Sequence, residues 1–354
     1  MTRDDPHPPS SEDMPAPRSR LETLGWNAFF AGQVSAQELE LTPPVRVTEV
    51  HRSGLRVLGD GIDTVVPPGP VATVGDWLLL NRVLPTSSRV LERKSLFQRR
   101  TPGKGRDLQL IAANVDTAFV VSSCNQDFNV ARLERYVAMA LEAGVPPVIV
   151  LTKVDLCPDP EPYLAQLAEL STLARIVPIN ARSEAPKAML GEWCGAGQTV
   201  VFLGSSGVGK STLVNALLGD PLVETAPIRE DDARGRHTTT HRHLHFLPSG
   251  CAVLDTPGMR ELQLAEAEDG IADTFADITA LAGRCKFNDC AHESEPGCAI
   301  RAALDAGELD TARVARWRKL LDEEKFNTTS LAERKSSAKA LRKTIRAVKK
   351  KNRK

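Results

Sequence analysis

Gly204-Ser205-Ser206-Gly207-Val208-Gly209-Lys210-Ser211-Thr212 and Thr152-Lys153-Val154-Asp155 decide the fold between them, through their order along the chain. The first satisfies G-x-x-x-x-G-K-[ST] and lies between the apolar run Thr199-Val200-Val201-Phe202-Leu203 and the helix-like Leu213 to Leu218, so it reads as strand, phosphate loop and helix. Its glycines let backbone N–H groups close around phosphates, Lys210 reaches the β and γ oxygens, and the Ser211 hydroxyl ligates magnesium. The second follows Val148-Ile149-Val150-Leu151, at the carboxyl end of a strand, where such sheets bind ligands. Asp155 there accepts two hydrogen bonds, from the ring N–H and the exocyclic amine of guanine; adenine offers neither donor. Charge-assisted bonds contribute about 1.5–3 kcal/mol each, enough to decide base choice. Lys153 lays its alkyl stem along the purine face. In an ordinary GTP-binding switch the phosphate loop comes first and the base motif late. Here residue 155 precedes residue 204 and Asp255-Thr256-Pro257-Gly258 comes last, which predicts a circularly permuted G domain.

The remaining motifs fit that site. Asp255, after the strand-like Cys251-Ala252-Val253-Leu254, supplies a second carboxylate near magnesium, and Gly258 an N–H for the γ phosphate. Met259 stands near the position where switches such as Ras place a water-orienting glutamine, which predicts slow unaided hydrolysis and help from a partner. Gly235-Arg236-His237-Thr238-Thr239-Thr240 lies where switch I belongs, with one of its threonines expected on magnesium. His237 is a candidate for polarising the attacking water, a solvated loop histidine being the plainer alternative. His241, His243 and His245 alternate along a strand-like run, sharing one face that reads as an exposed strand face or a metal site. Two departures from the usual pattern stand out. Thr152 occupies the place where Asn is common, and its hydroxyl is expected to tie the loop to its neighbour with fewer bonds. Ile179-Asn180-Ala181-Arg182 sits where the loop backing the guanine oxygen belongs but lacks the usual Ser-Ala pair.

With 354 residues, 42% hydrophobic and 25% charged, the chain can bury enough apolar surface for two or three domains. Apolar runs such as Ala118 to Val121 fall far short of the roughly 20 residues that span a bilayer. No leader of charged then apolar residues opens the sequence, so a cytoplasmic location without membrane contact is expected. Residues 333–354 hold eleven Lys or Arg against Glu333 alone, a net +10, which leaves the first 332 residues at −10. A cationic tail on an acidic body reads as a polyanion-binding arm, or more plainly as a solvated tail.

Residues 1–20, rich in Pro, Ser and Asp, read as disordered. Short β-rich runs follow (Val45 to Val50, Leu55 to Leu58, Thr64 to Val66, Trp77 to Leu80), fitting a small barrel of the OB type or an open meander. A basic, Gly-containing link from Arg99 to Arg106 leads into alternating strands and helices, the pattern of a parallel sheet. Helices are expected over Val130 to Ala143 and Tyr163 to Leu173 there, and from about Thr311 to Phe326 after Gly258. Four cysteines, Cys124, Cys157, Cys194 and Cys251, are scattered through apolar or strand-like contexts and read as ordinary buried or part-buried thiols. The other three cluster: Cys285-x4-Cys290-x-His292-x5-Cys298 offers three thiolates and an imidazole within fourteen residues, the ligand set of a closed structural zinc site.

These features together resemble the ribosome small subunit-dependent GTPase A family of bacteria, from about Leu24 to the last helix. The motifs that carry the resemblance are the permuted order, Ala113-Asn114-Val115-Asp116, the loop at 204–211, Gly235-Arg236-His237-Thr238-Thr239, Asp255-Thr256-Pro257-Gly258 and the Cys285 to Cys298 spacing. The resemblance implies an α/β protein of three parts: an OB-type barrel over 21–105, a permuted GTPase domain over 106–262 and a helical zinc domain over 263–332, followed by the basic tail at 333–354. It also implies GTP hydrolysis stimulated by the small ribosomal subunit during late maturation of that subunit, with ribosomal RNA as the contacted surface. A monomer is expected. Because Gly258 and Met259 run into the segment carrying the cysteines, nucleotide state is expected to bias the pose of that segment. Two readings compete with hydrolysis. One is an RNA-binding assembly scaffold with a vestigial nucleotide site, against which the intact Lys210, Ser211, Asp155 and Asp255 speak. The other is an ATP-dependent kinase, against which Asp155 speaks.

Overall fold

The computed structural model describes residues 18–51, 53–100, 108–219, 242–255 and 267–328. Residues 1–17 of the segment 1–20 expected to be disordered, most of the basic link, switch I with His237, His241, the residues from Thr256 through Gly258 and Met259, and the basic tail lie outside the described residues, whereas Ser19 caps a helix that begins at Arg20.

Strands β8 (Thr117–Ser123), β9 (Pro147–Thr152), β10 (Arg175–Pro178), β11 (Thr199–Leu203) and β13 (Ala252–Asp255) run parallel in the order β10-β9-β8-β11-β13. Their near-continuous apolar runs are what a sheet covered on both faces requires. Alternate residues serve different cores: Ala118, Val120, Val201 and Leu203 pack with Leu133 and Val137 on one face. Phe119, Val121, Val200 and Phe202 pack with Leu213 and Leu217 on the other. The helices supplying those partners are α4 (Val130–Glu142) and α7 (Lys210–Leu218). The expected helix at Tyr163 to Leu173 divides into α5 (Glu161–Gln166) and a 3₁₀ turn at Leu170–Thr172, which lets both Leu167 and Leu170 enter the core. Helix α6 (Ala185–Met189) precedes β11.

The sheet does not stop at β13. Strand β12 (Arg242–Phe246) pairs antiparallel with it and then, through Glu49↔His243 and Val50↔Arg242, with β1 (Pro44–His51) of the N-terminal part. Along β1, residues 44–46 pair with β4 (Trp77–Leu79), while the opposite edge carries β2 (Gly54–Gly59), followed by β3 (Ile62–Val66); β5 (Arg89–Val90) pairs with β4. Val45, Val47, Leu55, Val57, Val66, Leu78 and Leu80 form the core of this curled meander. Three short helices, α1 (Arg20–Thr23), α2 (Ala28–Ala31) and α3 (Ala36–Leu41), precede it, and Leu24 at the end of α1 and Phe30 of α2 pack against its Trp77 and Leu79. The link expected from Arg99 is in fact flanked by a hairpin, β6 (Leu96–Arg100) with β7 (Leu108–Ala113).

The motif at 113–116 proves to be the rivet between the two parts. Asn114, in the left-handed region at φ 57°, donates from Nδ2 to the Gly75 carbonyl (3.0 Å) and accepts from the Lys94 N–H (2.9 Å). Asp116 accepts from the Thr199 N–H (2.8 Å) and from Lys94 Nζ (2.7 Å). Beside it the buried Arg46 of β1 donates to the Leu24 carbonyl (2.5 Å) and to Thr199 Oγ1 (2.7 Å). Burial draws that guanidinium down to about 10, with the Asp116 carboxylate opposing.

The C-terminal helices α8 (Glu268–Thr274), α9 (Ala276–Ala282), α10 (Ala299–Asp305) and α11 (Thr311–Thr328) share a core with the G-domain sheet through Ile271, Phe275, Ile278, Ile300, Val314 and Trp317. Among the described residues no helix is long and apolar enough to cross a membrane. Helix α8 touches α4 backbone to backbone: a Cβ on Gly270 would lie 2.1 Å from the Ala138 carbonyl oxygen and 2.8 Å from the Glu142 nitrogen. Gly270→Ala must therefore force the helices apart, with an expected loss of about 1–3 kcal/mol. Urea unfolding followed by far-UV circular dichroism should show the lower midpoint.

Candidate functional site

Parallel pairing puts the carboxyl ends of β9, β8, β11 and β13 along one edge, and both sequence motifs emerge there. Ser123 is register partner to Thr152, Leu203 to Val120, and Val201 to Leu254. The phosphate loop leaves β11 at Gly204, where φ is +145° and a Cβ would sit 2.4 Å from the Val121 carbonyl oxygen, so no side chain fits. The loop ends at Gly209 (φ +101°), the N-cap of α7, which makes no side-chain cap. The start of α7 thus faces the loop with its N–H groups, the geometry in which a helix start favours an anion. Lys210 Nζ folds back over the loop to the carbonyls of Gly204 (2.8 Å) and Ser205. Ser205, Ser206 and Gly207 form the outer turn, with Val208 buried beneath, and Ser211 and Thr212 occupy the first turn of α7.

Thr152 joins the two motifs. Its buried hydroxyl proton is shared between the carbonyl of Val208 in the phosphate loop (2.6 Å) and that of Ser122 at the end of β8 (3.1 Å). A Cβ on Gly209 would lie 3.4 Å from the same hydroxyl. The expected tie is thus made, and to two neighbours. After it Lys153 takes a left-handed conformation (φ 59°, ψ 27°), and a 3₁₀ turn over Val154–Leu156 leaves Asp155 exposed on the ligand side of the edge. Ile179 donates its N–H to the Leu151 carbonyl (2.8 Å), which holds Asn180-Ala181-Arg182 beside that turn; Asn180 Oδ1 accepts from the Arg182 N–H (2.9 Å). Asp255 ends β13, its Cα paired with that of His243.

One contact went unread in the sequence. Asn129 N-caps α4 by accepting from the Arg132 N–H (3.0 Å), and Arg132 Nη1 then donates to Ser205 Oγ (3.1 Å), so α4 starts against the phosphate loop. Asn129 ahead of an apolar helix was a legible cap; the reach of Arg132 to Ser205, 73 residues on, had no local signal. Of the alternating histidines, His243 lies 3.3 Å from Glu49 and its ring 4.2 Å from that of His245. A cleft of about 250 Å³ at the outer edge, lined by Arg175, Pro178, Met189 and Glu192 among others, contains none of the expected site residues.

The second site is the cysteine cluster, where the ligand atoms of Cys285, Cys290, His292 and Cys298 lie within 4.8 Å of one another. His292 Nδ1 is 3.4 Å from Cys285 Sγ and 3.6 Å from Cys298 Sγ, and those sulfurs are 3.9 Å apart. Tetrahedral ligation with metal–sulfur bonds of about 2.3 Å and metal–nitrogen bonds of about 2.0 Å requires edges of roughly 3.5–3.8 Å, so the cluster can hold one metal ion. Burial pulls His292 below its ordinary value, helped by Arg318, which favours the neutral imidazole that a metal requires. Burial pushes the Cys285 thiol up, but the Ala299 and Ile300 N–H groups outweigh it and favour the thiolate. Cys290 is pushed up to about 11, by burial and by the neighbouring sulfurs. His292 sits at φ 61°, and the loop holding it there is gathered by Glu295. That carboxylate accepts from the N–H groups of Ala291 (3.0 Å), Glu293 (2.9 Å) and Ser294 (3.0 Å); its own backbone N–H first, and then these three, hold it down at about 2.

Comparison with known proteins gives a consistent result. The RsgA GTPase family model matches residues 90–265. An ABC transporter model matches residues 193–341, a stretch with the phosphate loop but without residues 152–155. The Small ribosomal subunit biogenesis GTPase RsgA 2 of Vibrio parahaemolyticus is 47% identical over 331 residues, 93% of this chain and 92% of the relative. The RsgA of Mesorhizobium japonicum is 50% identical over 328 residues, 90% of this chain and 94% of that protein. Among solved structures, YjeQ from Thermotoga maritima aligns with a TM-score of 0.57 at 23% identity, over 79% of this chain and 97% of its own. YloQ, described as a circularly permuted GTPase, aligns with a TM-score of 0.57 at 22% identity, over 84% and 99%. The two structures share the fold, a mixed α/β sheet in permuted order.

Two outcomes follow from this geometry. Thr152→Val keeps the shape but strands the buried Val208 carbonyl, so binding of a fluorescent GDP should weaken by about tenfold or more, a lost buried partner costing roughly 1–3 kcal/mol, and Thr152→Ser should restore it. Glu295→Ala frees the loop around His292 and should lower metal affinity by about 10- to 100-fold, as read by competition with a chromogenic chelator.

Proposed function

This chain belongs to the RsgA GTPase family, and from that premise we propose that it hydrolyses GTP to GDP and phosphate as a timing switch in maturation of the small ribosomal subunit. The observation that supports the reading is the contact of Thr152 with the Val208 carbonyl: two motifs in reversed chain order meet at one sheet edge.

In this reading Asp155 selects guanine, with Thr152, Lys153 and Val154 shaping its turn. Gly204 through Thr212 bind the phosphates, Lys210 turning from the Gly204 and Ser205 carbonyls to the β and γ oxygens. Ser211 ligates magnesium, with the Asp255 carboxylate near it, and Gly258 donates to the γ phosphate. His237 polarises the attacking water. The reaction is slow until the small subunit stimulates it, and the cationic tail at 333–354 shares in the RNA contact.

Three thiols with one imidazole at tetrahedral spacing suit a single structural zinc, held by Cys285, Cys290, His292 and Cys298; four protein ligands leave no position open for chemistry. The meander at 44–90 is read as an OB-type unit within 21–105, followed by the G domain at 106–262 and the zinc-bearing helices at 263–332. The protein acts as a cytoplasmic monomer.

Phosphate release from the zinc-loaded chain, with and without purified small subunits, tests the proposal. Subunits should raise turnover by orders of magnitude, as partner-supplied groups do for other switches. Asp155→Ala should lose GDP binding, whereas His237→Ala should keep it and lose the stimulation. Absence of any stimulation would favour a scaffold with a vestigial site.

A further inference from the structure

One cation reaches the phosphate loop from outside every nucleotide motif. Arg132, in the first turn of α4, is exposed to solvent, yet its Nη1 donates to Ser205 Oγ of the loop (3.1 Å). The chain before it fixes that position. After β8, Asn125 Oδ1 accepts from the Asp127 N–H (3.0 Å) and the Asn125 carbonyl from the Phe128 N–H (3.0 Å), which closes a tight turn. The Phe128 ring then meets Tyr163 of α5 edge-on, with centroids 5.0 Å apart. Asn129 caps the helix, and Leu133 and Glu134 are buried, so α4 is held against rolling and Arg132 stays beside the loop.

Ser205 marks the terminal-phosphate end of the loop, because Lys210, the residue type that holds β and γ oxygens in such loops, bonds the Ser205 carbonyl. Two cationic side chains thus converge on one residue, Lys210 at its carbonyl and Arg132 at its hydroxyl. Among the described residues Arg132 pairs with no carboxylate. Asp127, which lines the same crevice, is bonded to Asn125 Nδ2 instead (3.4 Å). That crevice measures about 10 Å³, room for about one water and for no separate ligand. A guanidinium carries several N–H donors in a planar fork, and the Ser205 hydroxyl engages only one of them.

We propose that Arg132 reads the terminal phosphate: with Nη1 kept on Ser205 Oγ, its remaining N–H groups donate to the γ oxygens of GTP, so that this side chain distinguishes GTP from GDP. The inference rests on the nucleotide reading proposed above and adds to it a residue that sets specificity. GDP offers no oxygens beyond the β phosphate, whereas the γ phosphoryl brings further negative charge and acceptors for the fork. Hydrogen bonds between a guanidinium and phosphate are roughly twice as strong as neutral ones, and the planar fork fits two oxygens at once. Other nucleotide switches also take an arginine for the γ phosphoryl from their own chain.

The test titrates the zinc-loaded full chain, with magnesium present, with a fluorescent GDP and with a fluorescent non-hydrolysable GTP analogue. Arg132→Met should lower the ratio of analogue affinity to GDP affinity by about tenfold or more, the loss expected for a charge-assisted bond. Arg132→Lys, which keeps the charge and gives up the fork, should recover part of that ratio. GDP binding reports that each variant is folded. The inference is overturned if Arg132→Met leaves the ratio where it was. In that case equal losses for both nucleotides would make Arg132 a prop of the loop through Ser205, and no loss for either would make it a surface cation. It is equally overturned if Arg132→Lys recovers none of the ratio. A wild-type chain that binds neither nucleotide would overturn the parent function, and this inference with it, before any variant is compared.

Discussion

Parallel pairing of β9, β8, β11 and β13 is the constraint on which the site depends. Hydrogen-bond register between neighbouring strands, not the order in which the chain visits them, fixes what their carboxyl ends bring together. A permuted chain can thus rebuild a nucleotide edge, provided the same strands remain neighbours. The Thr152 hydroxyl reports that they do: one proton, divided between the Val208 and Ser122 carbonyls, connects three consecutive strand ends. Burial sharpens this contact, because a carbonyl sealed from water and left unpaired costs more than the bond itself contributes.

The strands of the G domain were legible because a sheet covered on both faces needs uninterrupted apolar runs, and Val148 to Leu151 and Thr199 to Leu203 are such runs. The phosphate loop was legible for a related reason: its chemistry admits few residue types at each position. The metal cluster could be read from spacing, since a four-ligand knuckle is local. What could not be read was non-local. Nothing near Glu49 or His243 says that β1 and β12 will pair and fuse the N-terminal meander into the central sheet. The role of Asn114 and Asp116 as a rivet depends on Gly75, Lys94 and Thr199, tens of residues away.

The same non-local packing bears on how the C-terminal helices relate to the nucleotide. The sequence suggests control through the segment that follows Asp255, because it leads directly into those helices. Yet α8 lies backbone to backbone on α4 at Gly270, and the buried Glu134 of α4 accepts from Arg316 Nε at 2.7 Å. Arg313, also buried, lies 3.6 Å from Glu134 and bonds Glu169 (2.8 Å) and Asp277 (2.9 Å). Burial pushes the Glu134 carboxyl up, with the two arginines pulling against it. Such a network contributes less to stability than to the angle at which the helices dock; the shared apolar core supplies the energy.

A contact of this kind does not slide. With no gap at Gly270, a rearrangement beginning beyond Asp255 either ends before α8 or takes α4 along with it. Helix α4, in turn, begins against the phosphate loop through Arg132 and Ser205. The C-terminal helices are thus connected to the phosphate loop through the body of α4. Any ligand whose binding distinguished two positions of α4 would therefore couple these helices to that loop, in both directions.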